Sequence, residues 1–323
     1  MKKLFFTKLI TLITIGFILS SQYASAYEIS ISNNSPIEDD VLLSPSKVEL
    51  FLEPGESTIR NLNLVNRTQE KLSFEIIVED FSGDDVASTK LLGDKIGNYS
   101  LKNYLKPEIK EFSLNSKEKI TLPINIDIPV EAEPGGLYGA VIAQVKLADN
   151  DYDNNKLDSH DQINIISRLA LLFFVRIEGD LHEEGYLKSF HSNKKIFKEG
   201  KVEFSIFFEN KGNVHLNPYG KIDIKNIFGK KIEEINIEPW FVMPGFIRKS
   251  IVNLDKELIP GYYRAEISLY RGYGIDIIDK LSIGFWIMPW RILIMILFSI
   301  AIILLFFWLK KRFKINRRKL IKK

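Results

Sequence analysis

The chain has no cysteine in its 323 residues. That excludes a disulfide framework, thiolate zinc sites and a cysteine nucleophile. Histidine is nearly as scarce, with four in all: His160, His182, His191 and His215. None of them stands at metal-ligand helical spacing, and there is no HExxH-type motif. His182-Glu183-Glu184 is a weak metal candidate. Ser159-His160-Asp161 sets triad residue types side by side, whereas a catalytic triad is assembled from separate chain positions. Acidic pairs for glycoside hydrolysis are so plentiful that spacing singles none out. Helical periodicity is also scarce between residues 41 and 290. No helix of ten or more residues separates the strand-like runs, which excludes a parallel βαβ architecture.

A dominant charge is missing too, but only in the total. The formal net charge is +3. The segment before Tyr27 carries three lysines and no acid, and the segment after Leu309 carries nine basic residues and no acid. Residues 27–290 hold 31 basic against 41 acidic side chains, a net −10. So acidic a body argues against nucleic-acid binding.

The two ends carry topology signals. Met1-Lys2-Lys3, an apolar run over residues 9–19 and the small residues Ala24-Ser25-Ala26 predict a signal peptide over 1–26. An uncleaved anchor is the alternative, and the apolar run is short for a span. Residues 292–309 form 18 consecutive uncharged positions, with Trp286 and Trp290 at one end and Trp308 at the other. This predicts a single transmembrane helix over 290–309 and a basic cytoplasmic tail over 310–323, with the body outside. The tail serves topology and contact with anionic lipid. An exported chain without cysteine fits a bacterial surface that lacks a strong disulfide system.

The body reads as all-β. Residues 48–52 lead into the turn Glu53-Pro54-Gly55-Glu56. Residues 58–65 alternate apolar and polar at period two, so one face is buried and one is wet. Further strand-like runs follow at 72–78, 119–128, 138–147 and 163–177. An edge insertion near 82–108 interrupts them, with a short helical turn over 103–107. A second unit begins near Gly179, with strands at 201–208, 220–226, 232–237, 246–254, 261–270 and 275–285. Short strands at this spacing, with Pro and Gly between them, predict two tandem immunoglobulin-like antiparallel sandwiches, over 27–178 and 179–285.

Leu43-Ser44-Pro45-Ser46-Lys47-Val48-Glu49-Leu50, Glu53-Pro54-Gly55-Glu56, the strand ending at Asn66, Ile128-Pro129 and Glu133-Pro134-Gly135-Gly136-Leu137-Tyr138 together resemble the first domain of the WxL-interacting surface proteins of Gram-positive bacteria. Asn210-Lys211-Gly212-Asn213-Val214 and Met243-Pro244-Gly245 are similar to their membrane-proximal domain. The resemblance implies a cell-surface protein that binds peptidoglycan through its first domain and partner surface proteins or host ligands through its second.

Three stretches are local candidates for function. Gly135, Gly136 and Tyr138 form a partner-binding candidate, because paired glycines admit a close backbone or glycan; the same residues suit a tight turn into a core strand. Asp149, Asp151, Asp153 and Asn155 offer oxygen ligands at the spacing of a calcium loop. However, Asn154 stands where such a loop needs glycine and His160 where it needs glutamate, so a solvated acidic loop competes. Trp240-Phe241-Val242-Met243-Pro244 is either core or an exposed apolar patch. The sequons at Asn33, Asn66 and Asn98 carry little weight. No cofactor is expected. The expectation is a non-enzymatic, membrane-anchored binding or scaffold protein for a cell-wall polymer or secreted surface proteins. The alternatives are an exported chaperone-like protein that assists assembly of pilus or surface-layer subunits, and a membrane-tethered hydrolase.

Overall fold

The computed structural model describes residues 27–32, 36–83, 89–146, 167–198, 201–256, 258–273 and 278–320. The leader over 1–26 and the calcium candidate Asp149, Asp151, Asp153 and Asn155 lie outside them. The chain forms two compact units. One comprises Met1–Asp80, Leu91–Glu133 and Leu137–Glu178, and the other Phe81–Lys90, Pro134–Gly136 and Gly179–Lys323.

In chain order the first strands are β1 (Glu28–Ile31), β2 (Val41–Ser44), β3 (Lys47–Leu52), β4 (Ser57–Asn66), β5 (Leu72–Gly83) and β6 (Thr89–Leu91). After them come β7 (Leu105–Pro107), β8 (Glu111–Leu114), β9 (Glu118–Asp127), β10 (Gly135–Lys146) and β11 (Arg168–Ile177). One sheet has the order β1-β9-β4-β2, with β7 also on β9; the other has the order β3-β11-β10-β5-β6, with β8 on β5. The sequence alternation sets the register. β4 and β9 pair antiparallel with Leu62 opposite Leu122 and Leu64 opposite Ile120, so all four side chains point to one face. Those residues share a single apolar core with Phe74, Val141, Leu171, Phe173 and Val175 of the other sheet.

The later part of the edge insertion, residues 99–105, folds over β10. The helical turn expected over 103–107 is a single 3-10 turn at Lys102–Tyr104, and the chain passes straight from it into β7. Gly139 on β10 lies under this insertion, where a Cβ would come within 2.8 Å of the Leu105 side chain and 3.1 Å of that of Leu101. The organising residue is Asp80 at the end of β5. It is fully buried, and its carboxylate accepts the backbone N–H groups of Gly97 (3.0 Å), Leu101 (3.1 Å) and Lys102 (2.9 Å).

The second unit has β12 (Gly185–Ser192), β13 (Ile196–Phe197), β14 (Val202–Asn210), β15 (Tyr219–Asn226), β16 (Lys231–Ile237), β17 (Ile247–Leu254), β18 (Gly261–Tyr270) and β19 (Ile278–Ile287). Its sheets run β12-β14-β17 and β13-β19-β18-β15-β16. Phe204 and Phe285, one from each sheet, meet edge to face with centroids 5.9 Å apart in the core between them.

Two residues after β19, the helix α1 (Trp290–Leu320) begins. Its window Ile294–Lys311 has a mean hydropathy of 2.2, and none of it is buried against protein. The helix does not stop where the apolar run stops, but continues through the basic segment to Leu320. Lysine and arginine are good helix formers, so the charge that ends the apolar stretch does not end the helix.

Candidate functional site

An incomplete strand edge in the first unit is the candidate site. β3 pairs β11 in parallel, with Lys47 opposite Leu172 and Leu52 opposite Ile177. The pairing starts at the amide of Leu172, which donates to Ser46 O at 3.0 Å. On the N-terminal side of Leu172, the strand goes on as Arg168-Leu169-Ala170-Leu171. No strand among the described residues pairs with that stretch on its outer side, because β2 belongs to the facing sheet. Backbone groups alternate sides along a strand. The amide of Leu172 points outward, so those of Ala170 and Arg168 point outward too. On the inner side, Val145 N donates to Ser167 O at 3.1 Å, as the same alternation requires.

Side chains hold this stretch in place. Leu171 is fully buried, and Leu169 packs on the core. Arg168 reaches across β10 and donates from Nη2 to Glu79 Oε1 on β5. Glu79 lies opposite Ala140 of β10, and its other oxygen accepts the amide of Gly93 at 3.0 Å. The stretch is therefore a stiff template beside an apolar core, with main-chain groups that no described strand pairs.

The residues singled out from sequence take up other places. Gly135 and Gly136 begin β10 and are buried, and Gly135 has a φ of +151° that favours glycine. Tyr138 is fully buried, with its ring 5.8 Å from that of Phe174 and 6.0 Å from that of Tyr99. One strand thus brings the three together, with the Tyr138 ring inside the unit. In the Trp240 segment, Phe241, Val242 and Met243 are buried and Trp240 packs on the core of the second unit.

His182 Nε2 lies 3.0 Å from Glu184 Oε2 at the surface, and His191 stacks on Phe207. His215 is buried against Phe241 and Tyr273, and His160 lies outside the described residues. Among the described residues, no group of three or more His, Cys, Asp or Glu could hold a metal. A cavity of about 450 Å³ in the second unit is lined by Asn193, Lys201, Val202, Glu203, Asn253, Leu254 and Asp255. It contains neither a serine nor a histidine.

Sequence reasoning missed the gap beside β11 and the role of Asp80. The gap depends on where β3 starts pairing, and strand pairing leaves no mark on local periodicity. The signal for Asp80 was an acid on a strand just before the insertion, and Glu79 beside it gave the same signal.

No family model matches the chain, and no curated protein matches it. Among solved structures it is similar to the class 5 fimbriae chaperone CfaA, at 11% identity over 77% of this chain and 100% of that one, with a TM-score of 0.38. It is similar to a chain of a chaperone–tip adhesin complex of CFA/I fimbriae biogenesis, at 12% identity over 76% and 98%, with a TM-score of 0.37. It is also similar to a chain of the CsuC–CsuE chaperone–tip adhesion subunit pre-assembly complex of Acinetobacter baumannii, at 10% identity over 75% and 97%, with a TM-score of 0.37. No role passes to this chain from likeness at these values.

Proposed function

We propose that the chain is an exported, membrane-anchored, non-enzymatic protein of two immunoglobulin-like sandwiches. It holds an extended segment of a secreted surface-protein subunit by strand addition, in the manner of an assembly chaperone. The observation that carries this reading is the outer edge of β11 over residues 168–171, with which no strand among the described residues pairs. An added strand would take its affinity from the outward backbone groups of Arg168 and Ala170 and its specificity from alternate side chains over the core. A polypeptide can complete such an edge, whereas a glycan lacks the regular amide ladder to do so. Surface proteins are therefore favoured over a cell-wall polymer. The resemblance to the WxL-interacting proteins is compatible, since surface proteins are among the partners it implies. The leader over 1–26, the span in α1 and the basic tail inside supply export, anchoring and topology in this reading.

The test is crosslinking on intact cells, with the full chain as bait, followed by identification of what is captured. Secreted β-rich surface proteins are expected with the native chain and are lost with Ala170→Pro, which removes one outward amide and spares the ladder to β10. Equal capture by the two chains, or recovery of cell-wall fragments alone, overturns the reading.

A further inference from the structure

The second unit is polarised, and the polarity lines up with the start of α1. Gly261 of β18 pairs with Ile287 of β19, three residues before the helix begins at Trp290. Tyr263 pairs with Phe285 on one side and with Asn226 of β15 on the other. The β15–β16 hairpin tip therefore lies at the end of the sheet from which α1 departs. Ile196 of β13 pairs with Trp286 at the same end. Val202 of β14 pairs with Leu254 of β17, which places the loop leading into Gly261 there as well. Described residues of three loops thus surround the start of the helix: 193–198 with 201, 227–230, and 255–256 with 258–260.

These loops are apolar at their tips and basic around them. Phe228 is 90% exposed, Ile259 76% and Ile227 66%. They are not loose side chains. Asn226 Oδ1 accepts the amides of both Phe228 and Lys230 at 3.0 Å, and Gly229 N donates to Asn226 O at 2.9 Å, so the turn holds Phe228 out into solvent. Tyr263 Oη donates to Ile259 O at 2.9 Å and fixes the second tip. The described residues of the three loops carry six lysines against one acid, in a body that is net acidic. The described loop residues at the opposite pole, 179–184, 211–218, 238–246 and 271–273, carry two basic against four acidic residues. No large apolar side chain among the described residues of that pole's loops is exposed. At the basic pole, Lys194, Lys198 and Lys201 line a cavity of about 440 Å³ together with Ile196, Phe197 and Trp290, the first residue of α1. None of these three lysines is ion-paired with a described residue.

An isolated exposed apolar residue needs no explanation, but several held rigidly on one face and ringed by lysine do. Apolar tips with a basic rim match the membrane interface, where aromatic and aliphatic groups enter the acyl boundary and lysines meet phosphate. We propose that this pole of the second unit docks on the membrane that α1 enters. Ile227, Phe228 and Ile259 sit in the interfacial layer, and Lys194, Lys198 and Lys201 lie on the phosphates of anionic lipids. Continuity with the helix and the charge contrast between the poles select lipid over a soluble partner. The proposal rests on α1 being a span.

The lack of native cysteine makes the test clean. Phe228→Cys, Glu238→Cys at the opposite pole and Ile303→Cys in α1 each give the full chain one thiol for an environment-sensitive fluorophore. Each labelled chain is reconstituted into vesicles of phosphatidylglycerol and phosphatidylcholine, with quenchers attached to the lipid tails. Loss of fluorescence is expected at 303 and 228 and not at 238. The loss at 228 is expected to shrink when phosphatidylglycerol is omitted, and also when Lys194, Lys198 and Lys201 are all changed to Glu. Quenching at 303 with 228 as bright as 238 overturns the docking and leaves the span intact. Quenching at 228 that ignores both lipid charge and the lysine changes overturns the headgroup contact. No quenching at 303 removes the span, and the proposal with it.

Discussion

The amide of Leu172 donates to the carbonyl of Ser46, and this bond marks the point at which β11 passes from a covered strand to an open one. The two sides of that point should respond differently to proline. Ala170→Pro removes an amide that no described strand pairs on the open side, and an edge tolerates that. Leu172→Pro removes a bonded amide and leaves Ser46 O without its donor, at a cost of at least about 1 kcal/mol. In thermal unfolding, Ala170→Pro should stay close to the native chain and Leu172→Pro should fall clearly below it. A similar fall for both would mean that the outer side of Ala170 is already paired.

Asn66 and Asn210 should each be intolerant of substitution, for the same reason. Each ends a strand and is fully buried. Asn66 Nδ2 donates to the carbonyls of Glu70 (2.7 Å) and Leu114 (3.1 Å), while its Oδ1 accepts Thr68 N at 3.0 Å. Asn210 Nδ2 donates to Val214 O and Val242 O at 2.8 Å, while its Oδ1 accepts Gly212 N at 2.9 Å. Replacing either with alanine strands buried carbonyls at about 1–3 kcal/mol each. Aspartate keeps the shape but cannot donate, so Asn210→Asp should be about as damaging as Asn210→Ala in denaturant unfolding. A near-neutral Asn210→Asp would show that its oxygen alone matters.

Gly212, two residues on, stands where no other residue fits. A Cβ there would stand 2.1 Å from His182 O, so the Asn-Lys-Gly-Asn signal reflects a steric requirement. Strands with clean alternation were equally legible: the run expected at 119–128 is β9 over Glu118–Asp127, and the run at 261–270 is β18. β12 was not legible, because its pairing with β14 shifts register between Leu187 and Ser189 and breaks the period of two. β1 alternates polar and apolar over only four residues and none of them is buried, so the alternation is too short to read. The candidate edge was invisible for another reason. Openness is a property of which strand pairs with which, and the residues at 168–171 look like any buried strand.

Asp80 should govern the insertion more than the sandwich. Its three accepted amides all come from residues 97–102. Asp80→Asn keeps the volume but turns one acceptor into a donor facing backbone N–H groups, at a cost on the order of 2 kcal/mol. Hydrogen exchange should speed up at Gly97, Leu101 and Lys102, while the amides of β9 keep their protection. Uniform loss of protection across the first unit would show that the insertion and the sandwich unfold together.

Glu234 on β16 should titrate far below an ordinary glutamate. Hydrogen bonds from Lys231 and then Lys221 lower its pKa from 4.5 to about 2. Lys221 Nζ lies 3.0 Å from Oε2, and Lys231 shares that oxygen. A carboxylate whose folded pKa is depressed favours the folded state above its unfolded pKa. That contribution fades as the pH falls from about 4.5 to about 2, and below that range it is gone. The group is partly exposed, so salt screens the effect and its share of stability is small. Carboxyl-detected NMR titration should find a midpoint near 2 in the native chain. In Lys231→Ala it should rise towards the ordinary value and, with one partner remaining, stop short of it. High salt should raise the native midpoint in the same direction. A native midpoint already in the ordinary glutamate range would show that the two lysines do not hold Glu234 in solution.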